Sequence, residues 1–445
     1  MLQMDGNDPT PHLERFESYE QACLELHLVI PKRFNIASVI CRKHDDAVSR
    51  VALSELKEGG INTYTFGGLD FLSDKFAMAL AESGIAPGDS VALIVPQSAA
   101  AAVAQLGALK RGAVVVPLSM SSEVALLEQA LTDSGARAII VDESIHTVVE
   151  PLARSLPELK QRFVVRDLRP VETSSSYKDF WTEVDRASSD FEAVEAEAGS
   201  PAFLFYVESE DKCIGVVHSQ RSVMGQLASF EMLNNLEHEA GSVCWAADDY
   251  WSSPGAVLGV IYPAWWYGYS IATAIPRDTI SFLRLMELCG ASLAFIPSAQ
   301  TRKHSASEGL HPESLNLKLR TVLTDSSPGV EYLVNNQPGI TINEVYGKPE
   351  AGWIAGGCRR WFAKRDRSLG HVVPGRLIEI MDDNGTPLGA HKVGHIAVHK
   401  SDPGLFSGYH NEPGKTADSF IGDWFMTSDF AYRDENGDLY LAPKP

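Results

Sequence analysis

The 445-residue chain carries 58 acidic against 38 basic side chains, a formal charge of −20, with 44% hydrophobic and 22% charged residues. These values fit a soluble globular protein of two or three packed units and oppose non-specific binding to nucleic acid or to an anionic membrane surface. No apolar run reaches the roughly 18 residues of a membrane span, the first residues lack a secretory signal, and six cysteines without a C-x-x-C pair point to reduced thiols in a cytosol.

Residues 1–33 read as a helical arm. Next, the stretch 64–142 alternates: a short strand at 64–66, a helix over 70–83, a turn at Pro87-Gly88-Asp89, a buried strand over 90–95, then helix, strand, helix and strand again. Continuous apolar strands between helices predict a parallel sheet covered on both faces. A polar, acidic connection spans 187–200, after which helix–strand alternation resumes. From about residue 376 short alternating strands flank Asn384-Gly385, which predicts a small β-rich unit. The expected architecture is therefore α/β: two doubly wound lobes, residues 1–200 and 201–375, followed by a β-rich subdomain, residues 376–445.

The stretch FYVESEDKCIGVVHS, residues 205–219, has the outline of a phosphate cradle: strand, tight loop, strand. Its filling differs. Glu208, Glu210 and Asp211 lie where a cradle would offer donors, and no glycine precedes Gly215. Two like charges about 4 Å apart repel by roughly 4 kcal/mol at an effective dielectric near 20, so carboxylates aimed at a polyphosphate oppose binding.

In order along the chain stand YTF at Tyr64, GIAPGDSVALIVPQ, KRGAVVVPL, DSGARAIIVD, PAFLFY, VVHSQRSVMGQL, NEVYGKPEAGW, GHVVPG, VGHIAV and DWFMTSDFAYRDENGDLYL. With these marks the sequence resembles the AMP-forming acyl-CoA synthetases of the adenylate-forming superfamily, from Phe34 to the C-terminus. The resemblance implies the large-domain fold of that superfamily with a small distorted β-barrel-like unit, and use of ATP or AMP with Mg²⁺, a small carboxylic acid, and CoA or an acyl thioester. Residue by residue, it assigns the phosphate loop to the segment between Tyr206 and Gly215, with Ser209 as a remaining donor and Ile214 where the family has lysine. YGKPE matches Tyr-Gly-Gln-Thr-Glu: Tyr346 would stack on adenine, Gly347 would allow close approach, and Glu350 would hold Mg²⁺. Pro349 replaces a threonine, removing a hydroxyl and a backbone N–H. Thr324-Asp325-Ser326 stands for a Gly-Gly-Glu adenine contact, and Asp429 matches the acceptor of both ribose hydroxyls, a task suited to an acceptor-only carboxylate. Trp245 and Trp251 would line the acyl pocket, and His218 would lie beside the acyl and phosphate sites as a catalytic base candidate. The family's small C-terminal domain, with its catalytic lysine, has no counterpart before Pro445.

From these departures the sequence predicts an acyl-CoA synthetase-like large domain in which ATP-dependent activation is lost or strongly impaired, binding an acyl ligand or a protein partner. The alternatives are an active acyl-adenylate-forming ligase, completed by a carrier protein or a separate small domain in trans, or ATP-independent acyl transfer in the same cleft.

Overall fold

A computed structural model describes residues 9–57, 60–166, 177–209, 212–246, 250–273, 279–297, 315–325, 330–331, 337, 339–363 and 365–444. The alternation read from the sequence is present. The helix Phe66–Glu82 starts where the Thr65 side chain accepts from the Gly68 N–H, and Ala99–Lys110 where Ser98 accepts from the Ala101 N–H. Such caps satisfy donors that the first helical turn leaves unpaired. The helix 99–110 is alanine-rich because it is buried on every face, Lys110 included. Lys110 Nζ lies 2.6 Å from Asp70 and 2.7 Å from Asp74, and Arg42 holds the same two acids from the other side. A buried cation without such partners would be strongly destabilising.

One sheet runs, in spatial order, through Gly408–Tyr409, Lys212–Ser219, Pro201–Ser209, Val114–Pro117, Ser90–Ile94, Ala138–Asp142, Gln161–Val165 and Lys178–Asp179. A second runs through His371–Val372, Gly352–Gly356, Thr341–Lys348, Thr321–Thr324, Leu293–Phe295, Val243–Ala246, Ser270–Thr273, Val51–Lys57 and Gly60–Thr65. Strands thus cross the expected boundary near residue 200 in both directions: 51–65 joins the second sheet and 201–219 the first. The buried cluster that includes Phe76, Leu106, Phe203, Trp265 and Trp353 spans both sheets.

The third sheet is built from Ile378–Met381, Gly394–His399, Phe420–Ile421 and Trp424–Arg433, with Leu439–Ala442 paired to the last of these. Within it, the Asn384-Gly385 turn is closed locally by Asp382, whose carboxylate accepts from the N–H groups of Asn384 and Thr386. Before the lobes, the arm forms a short 3₁₀ turn, Leu13–Arg15, and a helix, Tyr19–Glu25. Among the described residues no helix is long and apolar enough to cross a membrane, and the six cysteines are free.

Candidate active site

The sequence predicts a loop between Tyr206 and Gly215, and the structure places 206–209 and 212–215 in a β-ladder. Strands Pro201–Ser209 and Lys212–Ser219 pair antiparallel, with Tyr206 opposite Gly215, Val207 opposite Ile214, Glu208 opposite Cys213 and Ser209 opposite Lys212. Glu210, Asp211 and the Ser209 side chain lie outside the described residues. An antiparallel strand aims its N–H groups alternately at its partner and away from it. Here the outward edge is also engaged: the Cys213 N–H donates to Gln129 Oε1 at 3.3 Å, and strand 212–219 continues onto Gly408–Tyr409. A phosphate cradle needs successive N–H groups converging on one point, and a ladder spreads them along two edges. Gly215 is therefore a mid-strand residue, and its lack of a side chain serves packing. A Cβ there would come within 2.8 Å of the His410 Cβ and the Leu204 Cδ1. Tyr206 donates to Asp133 Oδ2 at 2.8 Å, tying the hairpin to the helix Val124–Ser134. Burial and that carboxylate hold the Tyr206 phenol well above its ordinary pKa.

The adenosine-side residues do converge. Tyr346 lies at the end of strand Thr341–Lys348 and donates its hydroxyl to Asp429 Oδ2 at 2.7 Å. Lys348 Nζ reaches the same oxygen at 3.2 Å and Ser428 Oγ at 3.4 Å. Burial first, then Asp429, raises the Tyr346 pKa well above normal. The Asp429 side chain keeps 33% of its surface exposed, whereas Tyr346 keeps only 9%. The carboxylate is open to a ligand, but the ring shows little face for stacking. Gly347 sits at a register shift where a Cβ would lie 2.2 Å from the Gly352 carbonyl oxygen, so glycine is required there by the neighbouring strand. Glu350 Oε1 accepts from the Tyr409 hydroxyl at 2.8 Å. Thr324 ends a buried strand with Asp325 exposed beyond it, and Ser326 lies outside the described residues.

His218 is fully buried. Its Nε2 is 2.7 Å from the Pro349 carbonyl oxygen and its Nδ1 is 3.2 Å from Ser222 Oγ. A carbonyl only accepts, so Nε2 carries the proton and Nδ1 accepts from the serine. Burial pushes the ring pKa down to about 4. Both nitrogens are thus committed, and His218 orients the 346–350 segment through Pro349; as arranged it holds no free lone pair for a substrate proton.

The two tryptophans part company. Trp245 belongs to a cluster with Ala272, Leu283, Met286 and Val322 in the second lobe. Trp251 packs edge-on against Trp265 and borders a small cavity of about 10 Å³, room for about one water, shared with Leu93, Gln97, Gln105, Leu118 and Ser252. That cavity opens beyond the carboxyl ends of the parallel strands Ser90–Ile94 and Val114–Pro117, where open α/β sheets place their ligands.

Several residues escaped the sequence reading. Arg376 and Asp402 form a fully buried pair in which Arg376 Nε spans both carboxylate oxygens at 2.9 and 3.1 Å. Arg376 also donates to the carbonyls of Trp353 and Ala351, and Gln226 both donates to the Ala351 carbonyl and accepts from the Trp353 N–H. This clamp fixes the chain just after Glu350. The only hint in the sequence was an arginine following the marked GHVVPG. Lys348 and Tyr409 were likewise missed, being second partners of expected residues.

Fold and site together define the large domain of an adenylate-forming enzyme. The profile of the AMP-binding enzyme family matches residues 41–410, and the chain belongs to that family. It is 25% identical over 479 residues to the mitochondrial acyl-coenzyme A synthetase ACSM3 of Mus musculus, covering 100% of this chain and 78% of that protein. The fold superimposes on an acyl-CoA synthetase from Brucella canis with a TM-score of 0.84 at 20% identity, over 96% of this chain and 80% of that one. It also superimposes on the N-terminal domain of FACL13 from Mycobacterium tuberculosis with a TM-score of 0.78 at 21% identity, over 92% and 100% of the two chains. The chain is accordingly an acyl-CoA synthetase-like adenylate-forming domain.

Proposed function

We propose that the domain binds a carboxylic acid together with ATP and joins them as an acyl-adenylate for passage to CoA. The observation that carries this reading is the partly exposed Asp429 carboxylate beside Tyr346, on a segment held rigid by Arg376, Gln226 and His218. Asp429 would take ribose hydroxyls in exchange for its bonds to Tyr346 and Lys348. Glu350 fits a Mg²⁺ site of the kind that uses one or two carboxylates and completes its shell with substrate phosphates and water. Beside Trp251 the small cavity would have to widen to take the apolar part of the acid. A carrier protein or a small domain supplied in trans, and a cytosolic setting for the six free cysteines, belong to the same proposal. ATP–pyrophosphate exchange with a panel of carboxylic acids tests it. Exchange should exceed background and fall at least tenfold in Asp429→Ala; equal rates in wild type and variant would sink the idea.

A second reading, a domain that binds the acyl ligand and adenosine but activates poorly, draws on the ladder across the phosphate side and on Pro349. It expects AMP and Mg-ATP to bind with equal affinity in calorimetry. A large gain from the added phosphates would remove it. Acyl transfer without ATP finds less support, since its base candidate His218 has both nitrogens committed.

A further inference from the structure

We propose that Glu14, Glu231 and His238 form a divalent-cation site that staples the N-terminal arm to the body of the domain. The three come from different places: Glu14 from the 3₁₀ turn Leu13–Arg15, Glu231 from the helix Leu227–Leu233, and His238 from the turn after it. One carboxylate oxygen from each acid and a ring nitrogen of His238 lie within 4.8 Å of one another.

Two features of this trio ask for a ligand. First, both His238 ring nitrogens are shielded from solvent and have no hydrogen-bond partner among the described residues. The ring packs against two aromatic rings, Tyr267 at 4.6 Å and Phe230 at 6.2 Å. A buried polar atom without a partner has lost its hydration with nothing in return. A metal bond to one nitrogen would use a lone pair that has no partner among the described residues. Second, Glu231 is fully buried, and the Glu14 carboxylate lies beside it. The Glu231 oxygens accept from the N–H groups of His12 and Leu13 and from the Tyr267 hydroxyl. A carboxylate offers about four lone-pair sites, so one remains.

A 2+ ion would balance two carboxylates and leave the neutral imidazole as third ligand, with water completing the shell. Mixed imidazole and carboxylate donors suit Zn²⁺ and its neighbours in the first transition row rather than Ca²⁺. Ligand bonds near 2.1 Å hold donor atoms at most about 4.2 Å apart, so exposed Glu14 must draw inward slightly on binding. Because Glu231 already accepts two arm N–H groups, the ion would reinforce an existing anchor and couple arm order to metal.

The test uses the full chain stripped with chelator, with Zn²⁺ followed by calorimetry and thermal unfolding, and Co²⁺ as a spectroscopic stand-in. One Zn²⁺ should bind per chain and raise Tm, and Co²⁺ should give visible bands. His238→Gln and Glu14→Gln should weaken Zn²⁺ at least tenfold and abolish both the Tm rise and the Co²⁺ bands. Both substitutions leave the Glu231 bonds to the arm intact, and near-UV circular dichroism checks that the variants fold. No binding at millimolar Zn²⁺ would overturn the proposal. So would binding that either substitution leaves unchanged, because that locates the ion elsewhere among the thirteen histidines.

Discussion

The two ends of the expected nucleotide site have had different fates. At the adenosine end, Tyr346, Lys348 and Asp429 meet, and the carboxylate remains one-third exposed. At the expected phosphate end, residues 206–209 and 212–215 are drawn into a ladder and docked on a helix through Tyr206–Asp133 and Cys213–Gln129. The difference is one of chemical means. Asp429 would recognise a ligand with a side chain, which can trade one donor for another at little cost. A phosphate cradle recognises with backbone N–H groups, which cannot serve a β-ladder and a ligand at once.

This contrast can be broken or sharpened by experiment. The largest effect is expected beneath the adenosine end. Arg376→Ala leaves Asp402 buried and uncompensated and should cost about 3–5 kcal/mol in urea unfolding; a loss under 1 kcal/mol would show that the clamp does not hold the segment. Acid should strike next. His218 titrates at about 4 in the folded protein against about 6.5 when unfolded, so the folded state binds fewer protons between those values. The stability it contributes is present above pH 6.5 and lost as pH falls through 4. His44 and His238 are shifted the same way by burial. The urea midpoint should therefore drop from pH 7 to pH 4, and less steeply in His218→Asn.

Smaller effects separate the two ends. Asp429→Asn should lower AMP affinity about tenfold, roughly 1.4 kcal/mol, with little change in unfolding. An unchanged AMP titration would mean that ribose does not use this carboxylate. Tyr206→Phe should cost about 1 kcal/mol of stability through the lost bond to Asp133 and leave AMP affinity alone. Last, Ile214→Lys restores the family's charge but not its free backbone donors. We expect no gain in Mg-ATP over AMP affinity, and a tenfold gain would show that charge alone was missing.

The alternating elements of 64–142 and the family itself were legible because each rests on local pattern or on residue identity in order. Tyr346 and Asp429 were legible as candidates for the same reason, although the bond between them was not. Tyr206 and Gly215 were read as the frame of a loop, and the ladder that joins them was not foreseen, because Glu208 and Cys213 fit a loop and a strand equally well by local preference. The pair Arg376–Asp402 and the trio Glu14, Glu231 and His238 left almost no trace, since their members are up to 224 residues apart (238 minus 14).

The sequence by itself thus determined the class of fold, through periodicity and the order of motifs, both properties of neighbours along the chain. Only the tertiary structure decided which strands share a sheet, where each backbone N–H is spent, and which buried charges find a partner. Those depend on contacts between distant segments, and there the free energy of burying a polar group is settled by whatever packs against it.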